Sequence, residues 1–285
     1  MATTTEFPLN LTVTPFSSYP TGDTAREEVL RSYTLRSIAL TRESLKWKNG
    51  KKFTNASQDG GHVQTFSSES TMSGREGNLS WHGRTSIHTE TKYEAFRAGL
   101  LLDHSPNEAK YIHAIRETTK VDSFFGTTAE VWRNGYKLPI ITKDRDFVEL
   151  IITVDLPAHA SPFSEEHEAL VKEQLSTLFP TSNSELAAPR PPADDGEAQR
   201  LRSFLVISVP VSHDAAPQQR GAYIRGRYVS VEAVAEQADG TTAWRMSTQS
   251  DPAGRIPTWL TERSLPSKIA EDVPSFVKWV RQHVI

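Results

Sequence analysis

The chain has 285 residues, a formal net charge of −3 and a pI near 6.3. It is long enough for one large domain or two small ones and has no charge excess that would draw it to nucleic acid. Cysteine is absent, which excludes disulfides, thiolate metal sites and a cysteine nucleophile and fits a reducing compartment. No apolar run is long enough to span a bilayer, and Met1-Ala-Thr-Thr-Thr-Glu-Phe-Pro has neither the basic region nor the apolar core of a secretion signal, so the expected location is cytoplasmic.

Residues 1–22, rich in threonine, serine and proline, are expected to form a flexible arm that touches the rest through Phe7, Leu9 and Phe16. Asp23 or Thr24 then caps a helix whose apolar stripe holds Val29, Leu30, Tyr33, Leu35, Ile38, Leu40 and Leu45. Short alternating segments at Lys52-Phe-Thr, Val63 to Glu69 and Leu79 to Ile87 read as strands, separated by Gly60-Gly61 and Ser73-Gly74. A helix is expected over 92–101. In the stretch from Asp103 to His113, Ser105, Pro106 and Glu108 have the spacing of a capping box, which would occupy Glu108 with backbone amides and leave the nearby histidines without a metal.

Three strands follow in the reading of 124–156: Thr128 to Arg133, Tyr136 to Ile141 and Asp146 to Asp155, with Asn134-Gly135 as the hairpin turn of the first two. Residues 161–179 are expected to be helical, with Glu165, Glu166 and Glu168 at the positive end of the dipole. Residues 180–200, polar and proline-rich, are expected to be a mobile insertion. Phe204 to Pro210 is an apolar central strand.

From Tyr223 to Ala233 residue types alternate, with Arg225, Arg227, Val229 and Val231 on one face and Ile224, Tyr228, Ser230 and Glu232 on the other. Asp239-Gly240 turns the chain back into Thr242 to Thr248, where Trp244 and Met246 share a face. After Pro257 a short helix carries Trp259 and Leu260 and is expected to stop at Leu265-Pro266. A second helix, from Lys268, places Ile269, Val273, Phe276, Val277, Val280 and Val284 at helical spacing, with a kink or restart near Asp272 imposed by Pro274.

A sheet followed by one long amphipathic helix buries both apolar faces when the helix lies across the sheet. The expected class is therefore α+β in a helix-grip arrangement, with residues 23–285 as a single domain. Three phrases carry a family resemblance: Asp251-x-x-Gly254-x-Ile256-Pro257-x-Trp259-Leu260, Pro266-x-Lys268-Ile269-Ala270-Glu271-Asp272 with Phe276-Val277-Lys278-Trp279, and Asp144-Arg145-Asp146-Phe147-Val148. They resemble START domains, and in particular the fungal START-like proteins grouped as DUF3074. The third departs from the usual Pro-Arg-Asp-Phe by having Asp144 in place of proline. The resemblance implies a long curved antiparallel sheet gripped by a C-terminal helix around a hydrophobic cavity, and binding or transfer of a sterol, phospholipid or similar lipid, with Asp251 to Trp259 and the last helix as gate.

The wall of such a cavity is expected to include Trp132, Phe147, Leu150, Trp244 and Met246 from the sheet, and Ile256, Trp259, Leu260, Leu265, Ile269, Val273, Phe276 and Val277 from the gate and helix. An ordinary packed core would use the same residue types. Arg225 and Arg227 are candidates for a polar head group if their face is inward, where each needs a carboxylate or ligand partner, and are solvated if it is outward. There is no Gly-x-Ser-x-Gly, no His-Glu-x-x-His, no phosphate-binding loop and no dinucleotide fingerprint. The reading is thus a non-catalytic carrier, expected to be a monomer, with no cofactor or metal and with transient contact with a membrane surface. The alternatives are a cyclase or pericyclase acting on a polyketide-like substrate in the same cavity, and an adaptor whose cavity is filled by side chains.

Overall fold

The computed structural model describes residues 7–54, 59, 61–68, 79–138, 143–165, 171–173, 178–179, 201–218 and 221–284. The elements in order are β1 (Thr14–Pro15), α1 (Asp23–Ser44), β2 (Lys48–Phe53), β3 (Val63–Ser67), β4 (His82–His88), α2 (Tyr93–Phe96) running into a π-turn (Arg97–Leu101), α3 (His104–Tyr111), β5 (Ile115–Phe125), β6 (Ala129–Tyr136), β7 (Asp144–Asp155), β8 (Ser203–Ser212), β9 (Tyr223–Arg225), β10 (Arg227–Glu236), β11 (Thr242–Asp251) and α4 (Thr258–His283). Nine strands form one antiparallel path in the order β2-β3-β4-β11-β10-β8-β7-β6-β5. β1 pairs in parallel with the end of β8, and β9 pairs in parallel with the start of β7.

The two faces of this sheet are covered by different helices, and the alternation of each strand divides its side chains between them. On the outer face Val131, Val148, Leu150, Ile152, Leu205, Ile207, Val229 and Val231 pack with Val29, Leu30, Tyr33 and Ile38 of α1. On the inner face Ile151, Phe204, Val206, Val234 and Trp244 pack with Phe96, Leu100, Tyr111 and, from α4, Val273, Phe276, Val277 and Val280. β8 is buried along nearly its whole length because both its faces are covered. α4 lies across β2, β3, β4 and β11 and also touches α3.

Several expectations change. The arm is fastened at the points expected of it: Phe7 stacks on Tyr19 at 4.4 Å, Tyr19 and Tyr33 share a hydrogen bond of 2.8 Å, and Leu9 and Phe16 pack on the outer core. Asn134-Gly135 is not a turn. β6 runs straight through it, with Asn134 opposite Thr118 and Phe147, and the turn falls at Gly126 to Thr128 instead. The glycine answers a close approach, since a Cβ at Gly135 would come within 2.8 Å of Glu117 and 3.2 Å of the Tyr223 hydroxyl. β5, the strand paired with β6, went unread because most of its side chains are exposed and polar.

α4 does not stop at Leu265-Pro266 or restart near Asp272; it is one helix containing both prolines. Each proline forfeits one backbone hydrogen bond, and the burial of Ile269, Val273, Phe276 and Val277 holds the turns between and beyond them. Of the helix expected over 161–179, residues 161–165 form turns and bends instead and 171–173 are helical, while 166–170 and 174–177, like the strand residues 139–141 and the 180–200 insertion, lie outside the described residues.

Candidate functional site

The inner face changes character along its length. Under the C-terminal half of α4 it is solid: Trp244 and Phe276 have ring centroids 5.1 Å apart, Phe96 lies 5.4 Å from Trp244 and 5.0 Å from Phe276, and Tyr111 meets Phe276 edge-on at 5.3 Å. Trp244, Ile269, Val273, Phe276 and Val277, expected as wall, are therefore core contacts between helix and sheet here. Met246 is buried beside them, between Arg84 and Glu232 in the ladder.

Toward the start of α4 the lining opens. Trp132, Tyr136, Phe147 and Tyr228 on the sheet, Glu108 on α3, and Ile256, Leu265 and Asp272 of the gate and helix all keep accessible surface. Tyr136 and Tyr228 stand edge-on to Phe147, at 5.4 Å and 6.3 Å. Adjoining this region, and sharing Trp132 with it, a pocket of about 60 Å³ lined by His104, Ser105, Glu130 and Thr153 among others has room for a few waters only, with His104 Nε2 4.0 Å from Glu108.

This open region is rich in carboxyls. Glu108 does not close a capping box: α3 begins after Asp103, no side chain caps it, and the Ser105 hydroxyl is buried without a partner among the described residues. Glu108 instead faces Glu149 of β7, Glu232 of β10 and Asp272 of α4, and burial together with those three charges pushes its carboxyl well up. Burial lifts Glu149 to about 8, while Asn134 draws it partly back without closing to hydrogen-bond geometry. Burial likewise lifts Asp272 to about 7, with Arg84 opposing. The hydroxyls of Tyr136 and Tyr228 are raised well above their ordinary value, by burial first and by these carboxylates next.

Arg84 is the buried cation of the neighbourhood. It donates from Nε to the Ile269 carbonyl at 2.8 Å and from Nη2 to Glu232 at 3.4 Å, and Glu232 accepts in turn from Trp244 Nε1 at 2.7 Å. Further along β4, Ser86 Oγ lies 2.8 Å from His88 Nε2, and His88 Nδ1 lies 2.9 Å from Asp59. The connectivity is that of a nucleophile relay, yet Ser86 and His88 are packed under Phe96 and Trp244 with no surface for a substrate. Its Asp59 also receives Arg281 at 3.1 Å, which ties the last turns of α4 to the sheet.

The expected residues that do not join this region have clear places elsewhere. Leu150 is on the outer face against α1. Arg225 gives Asp146 a two-pronged pair of hydrogen bonds, 2.9 Å and 2.8 Å, and Arg133 adds a third at 2.9 Å, so neither arginine is free for a head group. Arg227, half exposed, is paired with Asp251. Trp259 and Leu260 are 65 % and 44 % exposed and point to solvent at the start of α4. Two of the motif phrases meet in space: Arg145, nearly fully buried, donates to the carbonyls of Pro252 at 2.6 Å and Ala253 at 3.3 Å and so pins the gate to β7.

A long antiparallel sheet gripped by a C-terminal helix in this strand order is the helix-grip fold of START domains. The structure is similar to human StAR-related lipid transfer protein 5, with a TM-score of 0.60 at 13% identity, covering 92% of this chain and 99% of that one. It is also similar to human STARD10, with a TM-score of 0.55 at 14% identity, covering 93% and 84%. In sequence it is 19% identical over 207 residues to the uncharacterized protein C577.11 of Schizosaccharomyces pombe, covering 71% of this chain and 68% of that protein. The model of the DUF3074 family, described as a protein of unknown function, matches residues 81–280, and the chain belongs to that family. Among the described residues no helix is long and apolar enough to cross a membrane.

Proposed function

We propose that the chain binds a lipid or comparable hydrophobic molecule between the sheet and the first half of α4, and carries it between membranes. One observation carries this reading: Tyr136, Phe147, Tyr228, Glu108 and Asp272 retain accessible surface although helix and sheet enclose them, as side chains lining a hollow do. The likeness to a solved neighbour named as a lipid transfer protein, human StAR-related lipid transfer protein 5, agrees with it. Within this reading Phe147, Trp132, Ile256 and Leu265 supply apolar wall, the Arg145-pinned loop and the start of α4 form the gate, and exposed Trp259 and Leu260 meet the bilayer during exchange. One chain suffices for the task, and the cytosol is where such a carrier works.

The test is native mass spectrometry of the purified chain followed by organic extraction. A lipid-sized mass that is lost on extraction supports the proposal. A protein that binds no lipid even after incubation with vesicles overturns it. The raised carboxyls of Glu108, Glu149 and Asp272 are the observation that favours the second reading, a cyclase using the same hollow, since such groups can hold or give a proton near neutral pH. Turnover of a polyketide-like substrate that stops in Glu149→Gln is its test.

A further inference from the structure

We propose that Trp132 is the floor of the ligand hollow and sets the length of acyl chain that the hollow accepts. The inference rests on the lipid-binding reading and deepens it, by naming the side chain that measures the guest.

Two spaces meet at this indole. On β6 Trp132 stands opposite Glu149 of β7, in the open region that continues to Tyr136, Phe147 and Tyr228 at the gate end. The same side chain lines the pocket of about 60 Å³, whose other walls include His104 and Ser105 of α3, Glu130 of β6 and Thr153 of β7.

The two spaces differ in chemistry. Toward the gate three aromatic rings stand between the carboxyls, at 5.4 Å and 6.3 Å from one another, and offer a tail apolar surface. Beyond Trp132 the lining carries hydroxyls and carboxyls, and Ser105 Oγ is buried there without a partner among the described residues. Water entering that pocket can pair with the hydroxyl, whereas a methylene leaves it unpaired. A tail therefore gains by burial as far as the indole and loses beyond it.

Trp132 is also held in place. Its Nε1 donates to Glu130 Oε2 at 2.9 Å, Glu130 is ion-paired with Lys120 of β5, and the ring packs against the inner core. Swinging the indole aside breaks a charge-assisted hydrogen bond and strips the ring of its packing, so the floor does not yield to a longer tail. At the opposite end the loop pinned by Arg145 limits the room to extend.

The experiment is native mass spectrometry after incubation with vesicles of phosphatidylcholine, phosphatidic acid and diacylglycerol, each supplied with lauroyl, palmitoyl, arachidoyl and lignoceroyl chains, together with cholesterol. The chain length of the bound species is read. In the parent, binding should fall about tenfold or more from one of these lengths to the next, the scale on which a pocket discriminates single methylenes. In Trp132→Ala the fall should move to a longer chain while shorter chains still bind. General damage to the fold would lower binding of every chain together and leave the position of the fall unchanged. Should Trp132→Ala not fold, Trp132→Leu, smaller than the indole and still apolar, is read in its place. Chains distributed in the variant as in the parent, a parent that takes every length alike, or binding of cholesterol alone overturns the length assignment and leaves lipid binding intact. Binding of no lipid overturns both.

Discussion

The guanidinium carbon of Arg84 lies over the indole of Trp244, 3.7 Å from the ring centre, while its Nη2 and the indole Nε1 both reach Glu232. The three side chains come from adjacent strands and tie the sheet to α4 through the Ile269 carbonyl. Arg84→Met keeps the volume but leaves Glu232 without its cation in a buried place, which should cost about 3–5 kcal/mol. Adding Glu232→Gln should restore most of the loss. Urea denaturation of the single and double variants measures both, and equal stability of the two would show that the ion pair is not what the sheet relies on.

Gly99, in the π-turn after α2, lets α4 come close. A Cβ there would stand 2.6 Å from the Phe276 ring and 3.1 Å from Trp279, both held by packing. Gly99→Ala should destabilise by about 1–3 kcal/mol, and Phe276→Leu added to it should cost less than Phe276→Leu alone. Thermal unfolding of the four proteins reads this coupling.

The empty protein should lose stability as pH rises. Glu149 is lifted by burial from 4.5 to about 8, so the folded state holds a proton that the unfolded chain releases. That contribution is complete below the unfolded value and is lost as pH passes through about 8, at up to about 1.4 kcal/mol per pH unit. Asp272, at about 7, and Glu108, raised by burial and its acidic neighbours, act in the same direction. Among the described residues, Arg84, Glu232, Tyr111, Tyr136 and Tyr228 also face this space, and His104 stands 4.0 Å from Glu108. Glu149→Gln should flatten the stability curve between about pH 5 and about pH 8 without levelling it.

Asp146 has the opposite dependence. Burial alone would raise it, but hydrogen bonds from Arg225 and Arg133 outweigh burial and hold the carboxyl below its usual range. Its contribution is present above the unfolded value and disappears as pH falls through the depressed folded one. Asp146→Asn should cost about 3–5 kcal/mol at neutral pH, because two guanidinia lose a shared anion, and the variant should be less sensitive to acid than the parent.

Trp259 and Leu260 make a contrasting case. Their exposure predicts that changing both to alanine alters stability by no more than about 0.5 kcal/mol. Transfer between vesicles should slow by several-fold, on the order of the apolar area removed from the bilayer contact. A transfer rate equal to that of the parent would mean that the gate meets the membrane elsewhere.

How far the sequence was legible depended on whether periodicity or tertiary contact decides each element. The amphipathic pattern of α1 and α4 and the apolar runs of β7, β8, β10 and β11 were readable because burial of a whole face dictates them. β5 was not, since an edge strand with one exposed face carries little apolar signal. Asn134-Gly135 misled because its glycine serves the packing of Glu117 and Tyr223 rather than a turn. At the site, Phe147, Trp132, Ile256 and Leu265 were named from hydrophobicity alone. Glu108 and Glu149 were missed: the first imitated a capping residue, and the second is the one charged residue between Phe147 and Val154 of β7. That placement, at a position in phase with Ile151 of the inner face, is the signal that would have found it.

Among the described residues, the two ends of the nine-strand path, β2 and β5, leave backbone groups that another molecule's strand could join. β2 presents Lys48, Lys51 and Lys52 there, and β5 presents Arg116, Glu117, Lys120 and Asp122. Charges of this density at both margins make stacking of one copy's ribbon onto the next unfavourable. A sheet that never closes into a barrel is thereby kept from growing into a fibre at high concentration.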